Sequence, residues 1–237
     1  AATDDFATLA SQTRAAVPNR IPISREFACP LRVTLHVANF DHRVGGFLRP
    51  LAAGPADLLA RHREWRQAYQ VALLTAYFIT GVVALIFFAV RRRERTPLVF
   101  GLFCLCMGLY TDLIGGRLLL RPLPQEVPWA PFMQAEYLAW ITAMGLFLLT
   151  VRQLFPVEIH RRVVSILLAL LGVGAVSALL LPPALYSWVN PPGQFIAVVA
   201  GAWVARAMLR AQSQNRVDAR VLLAGMLAVL ATLTLDL

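Results

Sequence analysis

Hydrophobic and polar positions follow two regimes along this chain. From Leu31 to Val37, in LRVTLHV, odd positions are apolar and even positions polar, the period of a strand with one buried face. Ile21, Ile23 and Phe27 suggest an earlier strand of the same sheet, and Ala38–Phe47 has the Asn, Asp and Gly content of a loop. From Val71 onward the alternation gives way to long apolar runs. Val71–Val90 holds no charged residue over twenty positions and meets Arg91, Arg92, Arg93, Glu94 and Arg95 at its end. At ~1.5 Å per residue such a helix crosses the ~30 Å hydrocarbon core of a bilayer.

The later runs are placed by their breakers. Helices are expected at about 98–120, ending before Pro122 and Pro124, and at about 131–152. Residues 163–205 contain no charge but are interrupted by Pro182-Pro183 and Asn190-Pro191-Pro192-Gly193. This predicts two spans, 163–181 and 193–210, joined by a short turn. A sixth span is expected at 221–237. Residues 55–70 predict a short amphipathic helix, with Trp65 and Tyr69 at headgroup level, that feeds straight into the membrane.

The predicted fold is mainly α: a polytopic membrane helix bundle over 71–237, preceded by a juxtamembrane helix at 55–70 and a partial β-domain at 1–54. Two strands do not bury a sheet unaided, so 1–54 is expected to close a larger extracytoplasmic β-sandwich. The opening AATDDFATLA lacks the basic and apolar regions of a leader. The chain is therefore expected to begin, and with its last span still apolar at Leu235 also to end, inside a longer protein.

Composition sharpens this picture. The chain is 58% hydrophobic and 15% charged, with mean hydropathy +0.63, well away from an average soluble domain. The net charge of +9 comes from arginine without any lysine and is not gathered on one soluble face, so no nucleic-acid partner is expected. Its distribution is informative. Segments 91–95, 152–162 and 206–220 hold four, three and four arginines, eleven in all, whereas the opposite connections hold only Arg117 and Arg121. The positive-inside rule then predicts an extracytoplasmic N-terminus in a multi-pass inner-membrane protein.

Candidate chemistry is sparse. Cys29, Cys104 and Cys106 form no disulfide framework and lack metal-ligand spacing. No phosphate loop, nucleophile–base set or paired acids stand out, so no catalytic residue, metal or cofactor is expected. The polar residues that do stand out are Asp112, Arg117 and Glu136, charges in or beside apolar runs, where an unpaired group is costly. An Arg117–Glu136 bridge with Asp112 lining a polar space beneath it is the functional reading; a structural ion pair is the plain one. Tyr137 and Trp140 join either the same space or the lipid interface. Asp41, His42 and Arg43 line a ligand site or are simply solvated loop residues.

Taken in succession, LRVTLHVANFDHRVGGF, REWRQAY, RRRERTPLVFGLFCLCMGLYTDLIGGRLLL, AEYLAW, LFP and LLPP resemble the bacterial seven-transmembrane receptors with diverse intracellular signalling modules. The resemblance implies a jelly-roll-like outer β-domain that binds carbohydrate or another small ligand, and seven helices of which six fall here. It also implies a cytoplasmic output module in cis, such as a diguanylate cyclase or histidine kinase, so residues 1–237 are not expected to be an enzyme themselves. The function expected is a membrane sensor, with lipid, an extracytoplasmic ligand and a second copy in a homodimer as partners. The alternative of a transporter or channel subunit predicts broken helices or midplane charges, whereas the charges here lie towards one side.

Overall fold

A computed structural model describes residues 54–115, 118–119 and 129–213. The proposed β-domain and the span at 221–237 lie outside these residues. The described chain is helical throughout: α1 (Ala56–Val90), α2 (Thr96–Ile114), α3 (Trp129–Leu154), α4 (Arg161–Leu180), the single-turn α5 (Pro183–Tyr186), a 3-10 turn at Ser187–Val189, and α6 (Asn190–Ser213). Five helices are long and apolar enough to cross a membrane, with the segment in α6 running from Pro192 to Arg210.

The amphipathic segment at 55–70 and the first span at 71–90 run on without interruption as one helix of 35 residues, about 52 Å long. The residues around Gln70 change in polarity but include neither proline nor glycine, so nothing stops the hydrogen-bond ladder. The helix starts after Pro55, with Asp57 in the first turn against the positive end of the helix dipole. It ends at Arg91, whose N–H donates to the Phe87 carbonyl. A tight turn, with the Glu94 N–H on the Arg91 carbonyl, leads into α2. Pro97 sits in the first turn of α2, where its missing N–H leaves no bond unmade.

The same tolerance explains a correction at the start of α6. Pro191 and Pro192 do not interrupt a helix; they lie in the first turn of α6, which therefore starts at Asn190 rather than 193. Pro182 and Pro183 do act as predicted on the preceding span: α4 stops at Leu180, and Pro183 opens α5.

Consecutive helices pack side by side, α1 on α2, α2 on α3 and α3 on α4, with α6 closing against α4. Phe155, Ile159 and Val164 share a core with Ala207 and Met208, which brings the end of α3, the start of α4 and the end of α6 together. With Arg91–Arg95 on the same side, one end of the bundle is rich in arginine. Hydroxyls within the spans turn back onto their own helices. Thr111, Thr150 and Ser177 each donate to the carbonyl four residues earlier, at 2.7–2.8 Å, as a medium without water requires.

The α1–α2 contact rests on two facing glycines. A Cβ on Gly81 would come within 3.1 Å of the Gly101 carbonyl oxygen, and a Cβ on Gly101 within 3.0 Å of the Gly81 carbonyl oxygen. Small residues let the two backbones meet, which is the main way helices adhere in lipid. Gly101→Val is expected to force the pair apart and cost about 1–3 kcal/mol. Thermal unfolding in detergent measures this; an unchanged midpoint would mean that α1 and α2 do not meet at these glycines.

Candidate functional site

The polar side chains gather at the arginine-poor end, where α2 ends and α3 begins. There Leu113, Phe132, Met133, Tyr137, Ala139, Ala178 and Tyr186 form one buried cluster, with Tyr110 and Leu138 against it. The cluster draws on α2, α3, α4 and α5, so the single-turn helix after Pro182 ties the α4–α6 connection into the bundle. Tyr137 and Tyr186 meet edge to face, with centroids 5.0 Å apart and planes at 72°.

Glu136 is half-buried beside this cluster, and its carboxylate lies within electrostatic reach of the Tyr110 and Tyr186 hydroxyls. Among the described residues the buried Tyr186 hydroxyl has no hydrogen-bond partner. Burial, and then the neighbouring Tyr137 and Glu136, push its phenol up to about 12. Tyr186 therefore remains a neutral donor across the physiological range. It is the residue that the sequence reading missed. Its only signal was its place three residues after Pro183, at the inward end of a turn that a helix-opening proline starts.

Asp112 is buried, as a charge in an apolar run must be, but its role differs from the expected one. Its two carboxylate oxygens accept the backbone N–H groups of Leu118, at 2.7 Å, and Leu119, at 3.1 Å. The carboxylate thus holds the turn that follows α2. This accompanies another correction: α2 ends at Ile114 instead of about 120, and Gly115 caps it. Trp140 stands lower on α3, half-buried, with its ring against Gly193, where a Cβ would come within 2.9 Å of Cη2. It lies one turn along α3 from Glu136, faces the start of α6, and packs against the core that Phe155, Ile159 and Met208 share. Arg117, Asp41, His42 and Arg43 lie outside the described residues.

Other recesses are of a different kind. A groove of about 240 Å³ between α1 and α2 is lined by residues such as Tyr77, Thr80 and Phe103, and one of about 480 Å³ on α4 by residues such as Val173, Val176 and Leu180. Both are predominantly apolar and at lipid level. At the arginine-rich end, in the α3–α4 connection, both carboxylate oxygens of Glu158 are buried and find no hydrogen-bond partner among the described residues.

Replacing Asp112 by Asn leaves one acceptor for two donors and turns an amide against one of them. The loss of a charge-assisted bond is expected to destabilise the protein by about 1–3 kcal/mol. Detergent melting of Asp112→Asn measures it, and protease sensitivity should rise in the turn around Leu118. A variant as stable as the parent would remove the clamp role.

Comparison with known proteins agrees with this architecture. No curated protein and no solved structure matches the chain. Residues 66–237, more than half of it, match the model of the family described as 7TM diverse intracellular signalling. The match begins within α1 and runs through every other helix described above, so it covers the glycine contact, the Asp112 clamp and the aromatic cluster alike. This is a multi-pass membrane receptor region with a signalling role, and the chain belongs to the 7TM diverse intracellular signalling family.

Proposed function

We propose that this chain senses an extracytoplasmic small molecule or carbohydrate and conveys the signal across a bacterial inner membrane to a cytoplasmic output module in cis. The observation that carries this reading is polarity of the bundle. Arg91, Arg92, Arg93, Arg95, Arg161 and Arg162 are at one end, and the Glu136–Tyr110–Tyr186 cluster is at the other. Basic residues resist transfer, so the arginine-rich end is the cytoplasmic one and the N-terminus is outside. The acidic and aromatic cluster then faces the side from which a ligand arrives. Residues 1–54 contribute the outer β-domain, with Asp41, His42 and Arg43 towards the ligand. Catalysis belongs to the output module and not to these residues.

In this mechanism the cluster is a switch made of packing and unsatisfied polarity. The Tyr186 hydroxyl has no acceptor in the described arrangement, so an arrangement that supplies one competes with it closely. A ligand that prefers the second arrangement shifts the bundle, and the shift is read at the arginine-rich end. Ionisation of Tyr186 takes no part, because its phenol titrates far above physiological pH.

Orientation is tested by single cysteines in a background with Cys29, Cys104 and Cys106 replaced. Leu185 and Val157 are both exposed, at opposite ends, whereas Ser187 is fully buried and a poor reporter. Leu185→Cys should react with an impermeant maleimide in intact cells, and Val157→Cys only after permeabilisation. The reverse pattern would overturn the orientation and with it the outward-facing site.

The switch is tested with Tyr186→Phe in the full-length receptor. Removing an unpaired buried hydroxyl should leave stability unchanged or raise it by about 1–2 kcal/mol. Basal or ligand-stimulated output should nevertheless change, because the second arrangement loses its hydrogen bond. Unaltered output at normal membrane abundance would place the signal path elsewhere.

A further inference from the structure

Glu158 is the one acid in the α3–α4 connection, between Arg152 and the pair Arg161 and Arg162. The connection is tightly held. The Phe155 N–H donates to the Val151 carbonyl at 2.9 Å, and the Ile159 N–H to the Phe155 carbonyl at 3.0 Å, so the chain makes one further turn past α3. Phe155 and Ile159 are the buried anchors of that turn, and Pro156 fixes its own backbone angle between them. Val157 is left 75% exposed. The next side chain is not: both carboxylate oxygens of Glu158 are buried. A carboxylate held in such a place is costly unless donors meet it.

Neither oxygen has a hydrogen-bond partner among the described residues. Helix α4 starts at Arg161, close to Glu158 in the chain, yet no side chain caps its first turn. Arg161 and Arg162 are exposed, as are Arg206 and Arg210 on α6. The carboxylate nonetheless lies where another part of the chain passes. Its neighbour Ile159 shares one core with Ala207 and Met208, near the end of α6. Beyond Ser213, where α6 ends, the next cation in the sequence is Arg216. The eight residues from Met208 to Arg216 span about 12 Å as a helix and up to about 26 Å extended, enough to turn back onto Glu158.

We propose that Arg216 pairs with Glu158, and that the pair braces the α3–α4 connection against the segment that leaves α6. Charge selects a tethered cation over a free one. The arginines of this end repel free cations, whereas a cation on a short tether acts at an effective concentration in the millimolar range. A guanidinium also fits the acceptor, because its fork of N–H donors answers both carboxylate oxygens at once. The brace offsets the repulsion between segments 152–162 and 206–220, which carry three and four arginines. It also joins the end of α3 to the chain beyond α6, so that a shift of one is felt by the other. The proposal stands apart from the sensing reading, since the brace forms without ligand and its test reads no output.

The test is thermal melting of the full chain in detergent, where a paired and an orphaned charge differ in sign. Glu158→Gln should lower the midpoint by about 2–4 °C, because the pair is lost. Arg216→Gln should lower it by at least as much, because the buried carboxylate is then left alone. The double variant should lose less than the sum of the two. An orphaned carboxylate would behave otherwise: Glu158→Gln would raise the midpoint and Arg216→Gln would leave it unchanged, and either result overturns the pair. Disulfide trapping in native membranes, with Cys29, Cys104 and Cys106 replaced, reads the same contact without relying on stability. Glu158→Cys with Arg216→Cys should form the bond at least several-fold faster than the exposed Val157→Cys with Arg216→Cys. Equal rates, or faster trapping of Glu158→Cys with Arg220→Cys, would also overturn it.

Discussion

Helices that share a hydrocarbon solvent gain little by hiding apolar surface from one another, because lipid tails are as apolar as leucine. What joins them is close backbone approach and the need to satisfy every polar group internally. Both act here at identifiable places. Gly81 and Gly101 let α1 and α2 meet through their carbonyls, and the hydroxyls of Thr111, Thr150 and Ser177 are returned to their own helices. Asp112 is the demanding case: a buried carboxylate near the negative end of a helix dipole, made tolerable by two backbone N–H donors beyond that end. The turn after α2 exists in its present form because that charge has to be answered.

The same constraint separates two kinds of polar residue at the arginine-poor end. Asp112 is satisfied and therefore structural. Tyr186 is unsatisfied and therefore poised, since an alternative arrangement recovers a hydrogen bond that this one lacks. A receptor needs both: a fixed frame and a group whose environment is not optimal. Tyr137, packed edge-on against Tyr186, connects the poised group to α3, which in turn runs to the arginine-rich end at Leu154.

Much of the bundle was legible in the residues, because a charge-free run of twenty positions has few other meanings. Boundaries were less so, and each miss has a physical cause. The change of polarity at Gln70 was no miss, since the amphipathic helix was expected to feed straight into the membrane, and helices are ended by backbone chemistry and not by a change of solvent. The prolines at 191 and 192 looked like breakers, yet their missing N–H groups lie where a helix has no acceptor to offer. Asp112 and Glu136 could be singled out as charges in apolar surroundings. What Asp112 binds could not, because its partners are main-chain groups that carry no residue signature. Tyr186 was invisible because a tyrosine in a connection reads as an interface residue until packing shows it buried.

The unbroken course of α1 has a mechanical consequence. A rod of 35 residues with no hinge transmits rotation and tilt without loss, so its two ends cannot move independently. A tilt of roughly 5° about its midpoint displaces each end by about 2 Å, given a half-length near 26 Å. That is comparable with the one- to two-ångström helix shifts by which many switches operate. Because the Gly81–Gly101 contact leaves no slack between backbones, α2 must follow such a tilt or break the contact. The smallest moving part of this receptor is then the α1–α2 hairpin, and the arginines of its tip travel with it.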